Sequence, residues 1–146
     1  MPLVLGLLAL PIGAFGSMIV HYKGTGPSTS AVVGCYIAQA APAMALDGQR
    51  IRFGQESLAP IAYDFSMARL GGLAIAPRRA VRLMHEQAGY RFRLASSSPP
   101  GLFPLQRYGN GQWHSVRQPA EMEAIAVPAS DGQMIRFERA PPRDCP

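Results

Sequence analysis

The sequence predicts an α+β fold, with an N-terminal transmembrane helix followed by a small domain of two helices and an antiparallel sheet of about five strands. Residues 3–20 form an uncharged apolar run. Apolar residues recur at helical spacing between residues 58 and 88, whereas beyond Gly89 they alternate with polar residues. The 146 residues suffice for one domain. We divide them into an anchor (1–23), a linker (24–42), the α+β domain (43–140) and an irregular tail (141–146).

The apolar run Leu3 to Val20 predicts a membrane anchor. As a helix it would extend about 27 Å, close to the ~30 Å hydrocarbon core of a bilayer. No Lys or Arg precedes it, so it lacks the charged n-region of a signal peptide. We therefore expect an uncleaved single-pass helix in the inner membrane, unless Met18 is the true start. Small residues on one face favour close packing of helices; the candidate helix-packing residues are Gly6, Ala9, Gly13 and Ser17.

The weakly apolar stretch 31–46 permits three interpretations. It could form a helix and a strand, contain a cleavage site of the A-x-A type, or form a lipoprotein box around Cys35. Membrane orientation is equally open. Lys23 favours a cytoplasmic carboxyl side, whereas a possible disulfide between Cys35 and Cys145 favours an oxidising compartment. We expect an extracytoplasmic domain in the cell envelope.

The elements of the domain follow from local signals. Asp47-Gly48 predicts a hairpin turn, and helices are expected over Pro60–Leu70 and Pro77–Ala88, the second beginning at a proline and ending before a glycine. Alternation predicts a strand over Tyr90–Leu94. Two further hairpins are expected, around Gly109-Asn110-Gly111 and between segments 122–127 and 133–138. The phrase Asp-Gly-Gln-x-Ile-Arg-Phe occurs twice, at 47–53 and 131–137, which indicates two hairpins with the same turn chemistry.

The positive charge does not point to nucleic acid. The net charge is +5 and the pI about 9.8, but 13 of the 14 basic residues are Arg, as a GC-rich genome would produce. The arginines are spread along the chain, and no aromatic residues are interleaved with them at the spacing that a single-strand binder uses, so a nucleic-acid partner is not favoured. Arginine and aromatic residues are enriched at protein interfaces. The candidate interface residues are Arg78, Arg79, Arg82, Trp113 and His114.

No motif for chemistry is present in the sequence. The His and Cys residues lack zinc-ligand spacing, and no nucleophile elbow, phosphate loop or nucleotide fingerprint occurs. We therefore assign no catalytic residue, metal or cofactor. The leading hypothesis is a non-enzymatic, membrane-anchored accessory or structural subunit of a larger membrane complex, with lipid and other membrane-protein subunits as partners. The alternatives are an exported envelope domain that binds its ligand alone, and a hydrolase built around His85 or His114.

Overall fold

The computed structural model describes residues 29–68, 71–96 and 98–146. Over these residues the chain is almost entirely β. The strands are β1 (Gly34–Ile37), β2 (Met44–Leu46), β3 (Arg50–Phe53), β4 (Ile61–Met67), β5 (Leu73–Pro77), β6 (Val81–Glu86), β7 (Gly89–Leu94), β8 (Phe103–Gly109), β9 (Gln112–Ser115), β10 (Ala124–Pro128) and β11 (Met134–Ala140). Three short 3-10 helices cover Thr29–Val32, Pro119–Glu121 and Pro142–Asp144.

Eight of these strands form a closed antiparallel barrel. The strand order is β10-β11-β1-β2-β3-β4-β5-β8-β9, and an additional pairing of β10 with β8 closes the sheet. Strand β8 has partners on both sides, with β10 on one side and with β5 and β9 successively along the other. Alternate side chains point inward and fill the interior with large apolar groups; among the fully buried ones are Tyr36, Met44, Ile51, Ile75, Leu105, Ile125 and Phe137.

The hairpin β6–β7 covers one end of the barrel. Its inner side chains Val81, Leu83 and Phe92 belong to the core, and the Phe92 ring lies 4.6 Å from that of Phe53. The hairpin contacts the β1–β2, β3–β4 and β10–β11 connections. Consecutive antiparallel strands reverse direction, so these three connections lie at the same end of the barrel. The hairpin therefore closes this end of the barrel.

Both predicted helices are wrong, and with them the α+β fold class. Residues 61–67 form β4 and residues 81–86 form β6. In the first segment Ile61, Tyr63 and Phe65 alternate with Ala62, Asp64 and Ser66, so the same apolar residues satisfy a period of two. Pro77 ends β5 instead of beginning a helix, and Gly89 follows a two-residue hairpin loop. The pairing of β4 with β3 and β5 overrides helix propensity in the first segment, and the pairing of β6 with β7 does so in the second.

The predicted hairpins are present, and the two Asp-Gly phrases use the same chemistry. They form the turns between β2 and β3 and between β10 and β11. Asp47 Oδ1 accepts the Gln49 and Arg50 N–H groups at 2.9 and 2.8 Å, and Asp131 Oδ1 accepts that of Gln133 at 3.1 Å. These backbone donors favour the carboxylate and lower the pKa of both aspartates. The glycine after each aspartate has a positive φ, 96° at Gly48 and 84° at Gly132.

The predicted single-pass architecture is contradicted over the described residues. No helix within them combines the length and apolar character needed to cross a bilayer. The inner-membrane location was predicted from such a helix, so that prediction is contradicted as well. The segment 3–20 that prompted the prediction, with Gly6, Ala9, Gly13 and Ser17, lies outside the described residues.

The chain after β11 folds back over the outside of the barrel. Cys145 forms a disulfide with Cys35 of β1, with a Cα–Cα distance of 5.3 Å that suits such a bond. Pro146 then lies against Gly54, beyond β3. Strand β1 falls within the range 24–42 that the sequence analysis assigns to a linker. The 3-10 helix Pro142–Asp144 and the disulfide order the segment assigned to the tail.

Candidate functional site

An open groove of about 600 Å³ lies on the outer surface where β8, β9, β10 and β11 meet. Its lining combines aromatic, apolar and charged side chains, a mixture typical of recognition surfaces. The lining residues are Tyr108, Trp113, Met122, Glu123, Glu138 and Arg139.

Two aromatic residues form one wall of the groove. Tyr108 of β8 and Trp113 of β9 face each other across the hairpin, with ring centroids 5.4 Å apart in an edge-on arrangement. The turn between them places Asn110 at φ 52° and Gly111 at φ 79°, as a tight two-residue hairpin requires. Tyr108 is 54% exposed, unusual for a large aromatic residue, whereas Trp113 is partly buried. The hairpin thus presents a fixed aromatic surface to solvent.

Arg136 of β11 lies over the Trp113 ring. Its guanidinium carbon is 5.4 Å from the ring centroid, within cation–π range. Its Nε donates to Gln106 Oε1 at 2.9 Å, which fixes the orientation of the planar group. Strand β10 separates Gln106 from Arg136, and its outward residues there are Ala124 and Ala126. Both alanines are fully buried, so larger neighbours cover them and bridge the strand.

Charged residues surround the aromatic wall. Glu123 Oε2 accepts the Tyr108 N–H at 2.9 Å, which ties the start of β10 to the end of β8. Arg139 donates to the carbonyl oxygens of Ala31 and Val33 at 2.6 and 3.1 Å and lies over the Tyr36 ring. Glu138 is exposed on the rim. The groove therefore offers both signs of charge around an apolar centre.

Only one of the five predicted interface residues lines the groove. Trp113 does so, and its neighbour His114 points elsewhere: His114 Nε2 donates to the Gly109 carbonyl at 3.0 Å. Arg78 follows β5 and forms a bidentate pair with Asp64, at 2.9 and 3.0 Å. This hydrogen-bonded pairing lowers the pKa of Asp64 and leaves both side chains largely exposed. Arg79 is exposed in the connection to β6, and Arg82 lies on the outer face of the hairpin.

The two histidines considered for a hydrolase both lie away from the groove. Neither His85 nor His114 lines the groove, and the His85 ring packs at the surface, 5.1 Å from the Tyr90 ring. Within the same residues, no three His, Cys, Asp or Glu side chains are placed to hold a metal ion. Every buried side chain in the described ranges is apolar or an uncharged tyrosine. The groove has the composition of a binding surface.

Sequence reasoning missed Tyr108, Gln106 and Arg136. Gln106 and Arg136 are 30 positions apart, and only closure of the barrel brings their strands to either side of β10. One local signal was available, because Tyr108 and Trp113 flank the Gly-Asn-Gly turn at mirror positions and must face each other in a hairpin.

Comparisons of the chain with protein-family models, curated proteins and solved structures found no match.

Proposed function

We propose that this protein is an accessory subunit that acts through protein–protein contacts, and that the groove beside Trp113 binds its partner. One observation carries the proposal: Tyr108, Trp113 and Arg136 form an oriented stack on the protein surface. Trp, Tyr and Arg are the residue types that dominate binding energy at protein interfaces. Here all three are held in place before a partner arrives, so little conformational entropy would be lost on binding.

Besides covering the alanines of β10, the stack leaves a large aromatic surface exposed. It lies outside the barrel, where Tyr108 keeps more than half of its surface in water. Leaving a large aromatic residue exposed forgoes the free energy that its burial would provide. The hydrogen bond from Arg136 to Gln106 fixes a guanidinium group that would be mobile on an ordinary surface arginine. Both features favour a surface that a partner covers.

The proposal is tested by crosslinking in the cells that make the protein. A photoreactive phenylalanine analogue at position 108 should, on irradiation, join the full chain to one defined protein. Arg136→Ala should abolish that adduct because the Trp113 ring loses the group packed over it. The matched control is Arg52→Ala, since Arg52 holds the same place in the other Asp-Gly phrase and is exposed.

The crosslinking experiment has distinct outcomes for and against the groove as the interface. A single adduct lost with Arg136→Ala and retained with Arg52→Ala supports the proposal. With the purified partner, Trp113→Ala should then weaken binding by about 2 kcal/mol or more, as expected of a central interface tryptophan. A probe at position 108 that gives no adduct, or one equally sensitive to both arginine variants, excludes the groove as the interface.

A further inference from the structure

A second surface, independent of the groove, lies on the outer face of the β6–β7 hairpin. The hairpin is attached to the barrel along both edges. On the β7 side, the Gln55 side chain donates to the Phe92 carbonyl at 2.7 Å and accepts its N–H at 3.0 Å, in the manner of a neighbouring strand. On the β6 side, Ser130 donates its N–H to the Leu83 carbonyl at 2.9 Å and accepts the His85 N–H through Oγ. The outer face is therefore held rigid.

Three arginines share that face. Arg82 lies directly opposite Arg93, and Arg91 lies two residues before Arg93 on β7, opposite Met84. All three arginines are exposed. We call this set, with Met84 and Glu86, the arginine face. Val81, Leu83 and Phe92 occupy the other face of the hairpin, inside the core.

The arrangement of charge is unfavourable for the isolated protein. Like charges directly opposite in a sheet destabilise it. Glu86 Oε1 accepts a hydrogen bond from Arg93 Nε at 2.9 Å and compensates one cation. Arg82 and Arg91 have no acidic partner anywhere in the described ranges. Two uncompensated guanidinium groups thus remain on a ribbon that is attached along both edges.

We propose that the arginine face binds an acidic protein segment in an extended conformation. Carboxylates match the guanidinium fork in bidentate geometry. Arg82 and Arg91 are diagonal neighbours across the hairpin, a relation that separates residues by about 7–8 Å. Alternate residues of an extended segment repeat at about 6.8 Å, a similar distance. An alternating acidic strand can therefore place two successive carboxylates on these two arginines.

Two features disfavour nucleic acid or lipid as the occupant. Among the described side chains of this face no aromatic ring is available to stack on bases. The nearby Tyr90 lies on the other face, and its hydroxyl donates to Asp131 at 2.9 Å. Glu86 places a negative charge within the arginine face. This charge would repel a polyphosphate or an anionic bilayer, whereas a protein segment of mixed sequence can place an uncharged residue beside it.

Fluorescence anisotropy with the full chain tests the proposal. The probe is a labelled peptide in which Glu alternates with Thr, compared with a DNA duplex of equal charge and with phosphatidylserine vesicles. Arg82→Gln/Arg91→Gln should weaken peptide binding about tenfold or more, which corresponds to roughly 1.4 kcal/mol. The control Arg107→Gln/Arg117→Gln removes the same charge from exposed positions elsewhere and should change binding by less than about twofold.

A folding defect is distinguishable from lost binding. Arg82→Gln removes the repulsion from Arg93, so the melting temperature of the double variant should be unchanged or higher while binding falls. Equal losses of peptide affinity in both double variants would mean that binding depends only on net charge, and they would overturn the proposal. So would an absence of peptide binding, or tighter binding of DNA or vesicles that the hairpin variant abolishes, since the face would then belong to a phosphate ligand.

Discussion

At the residue scale, two buried tyrosines of the barrel differ in one hydrogen bond. The Tyr36 hydroxyl donates to the Val32 carbonyl at 2.6 Å, which links β1 to the preceding 3-10 helix. The Tyr63 hydroxyl is also shielded from water and makes no hydrogen bond of normal geometry within the described part of the chain, although the Gly48 backbone lies near enough to oppose the rise of its pKa. A buried polar group without a hydrogen bond costs stability, whereas a bonded one contributes about 1 kcal/mol.

Replacing Tyr36 or Tyr63 by phenylalanine gives a matched test of the hydrogen bond. Tyr36→Phe should lower the free energy of unfolding by about 1 kcal/mol, because the Val32 carbonyl loses its donor. Tyr63→Phe should leave that free energy unchanged or raise it, since an unsatisfied hydroxyl is removed. Urea denaturation of both variants measures the difference, each serving as the control for the other. Equal losses would show that the Tyr63 hydroxyl is bonded after all.

The same burial governs alkaline stability. Loss of solvation raises the pKa of Tyr36 to about 12, with Arg139 opposing the shift, and burial also raises the pKa of Tyr63 to about 12. An unfolded tyrosine ionises near pH 10, so the unfolded state loses protons first. The contribution of the two neutral, buried tyrosines to the free energy of unfolding is complete below about pH 10 and declines as the pH rises towards 12. In the double Phe variant, unfolding measured across this range should depend less on pH.

At the scale of elements, local turn chemistry was predictable and the strands between turns were only partly so. Asp47-Gly48, Asn110-Gly111 and Asp131-Gly132 each specify a turn through their own side chains and φ angles. Residues 60–88 contain no Asp-Gly or Asn-Gly pair, and their Gly71-Gly72 pair, with Gly71 at φ 81°, suits the end of a helix as well as the turn between β4 and β5. Their alanines, leucines and methionines satisfy helical spacing as well as alternation, and long-range pairing decides between them. The Tyr108–Trp113 contact had a local signal in its hairpin turn, but the rest of the candidate groove escaped prediction because its residues meet only through the pairing of strands distant in sequence.

Gln55 controls the docking of the β6–β7 hairpin. Gln55→Ala removes both hydrogen bonds to the Phe92 backbone and should lower the free energy of unfolding by about 2 kcal/mol. Exchange of the Phe92 amide with deuterium should accelerate by more than that of the barrel strands, since this edge of the hairpin is freed. The control is Gln49→Ala, an exposed glutamine in the β2–β3 turn. Uniform acceleration at all strands would mean that hairpin and barrel unfold together.

At the scale of the whole molecule, the disulfide joins the two ends of the described chain. Cys35 and Cys145 are 110 positions apart, so the bond closes nearly the entire fold into one loop. A loop of this length restricts the unfolded chain strongly, and the bond should contribute about 3–5 kcal/mol.

Removing the bond tests that contribution. Cys35→Ala/Cys145→Ala should lower the free energy of unfolding by about 3–5 kcal/mol, chiefly because the unfolded state regains entropy. A reductant should reproduce the loss in the wild-type protein and have no effect on the double variant. Equal stability of the oxidised wild type and the double variant would show that the barrel gains nothing from the crosslink.

The pairing of β1 with β11 also dictates an order of events during synthesis. Strand β1 emerges from the ribosome early, but one of its edges stays unpaired until Met134–Ala140 has been made. Strand β8 likewise waits for Ala124 and Ile125 of β10. An exposed strand edge is a template for association with other chains. The nascent protein therefore carries open strand edges until the β10–β11 hairpin has been made.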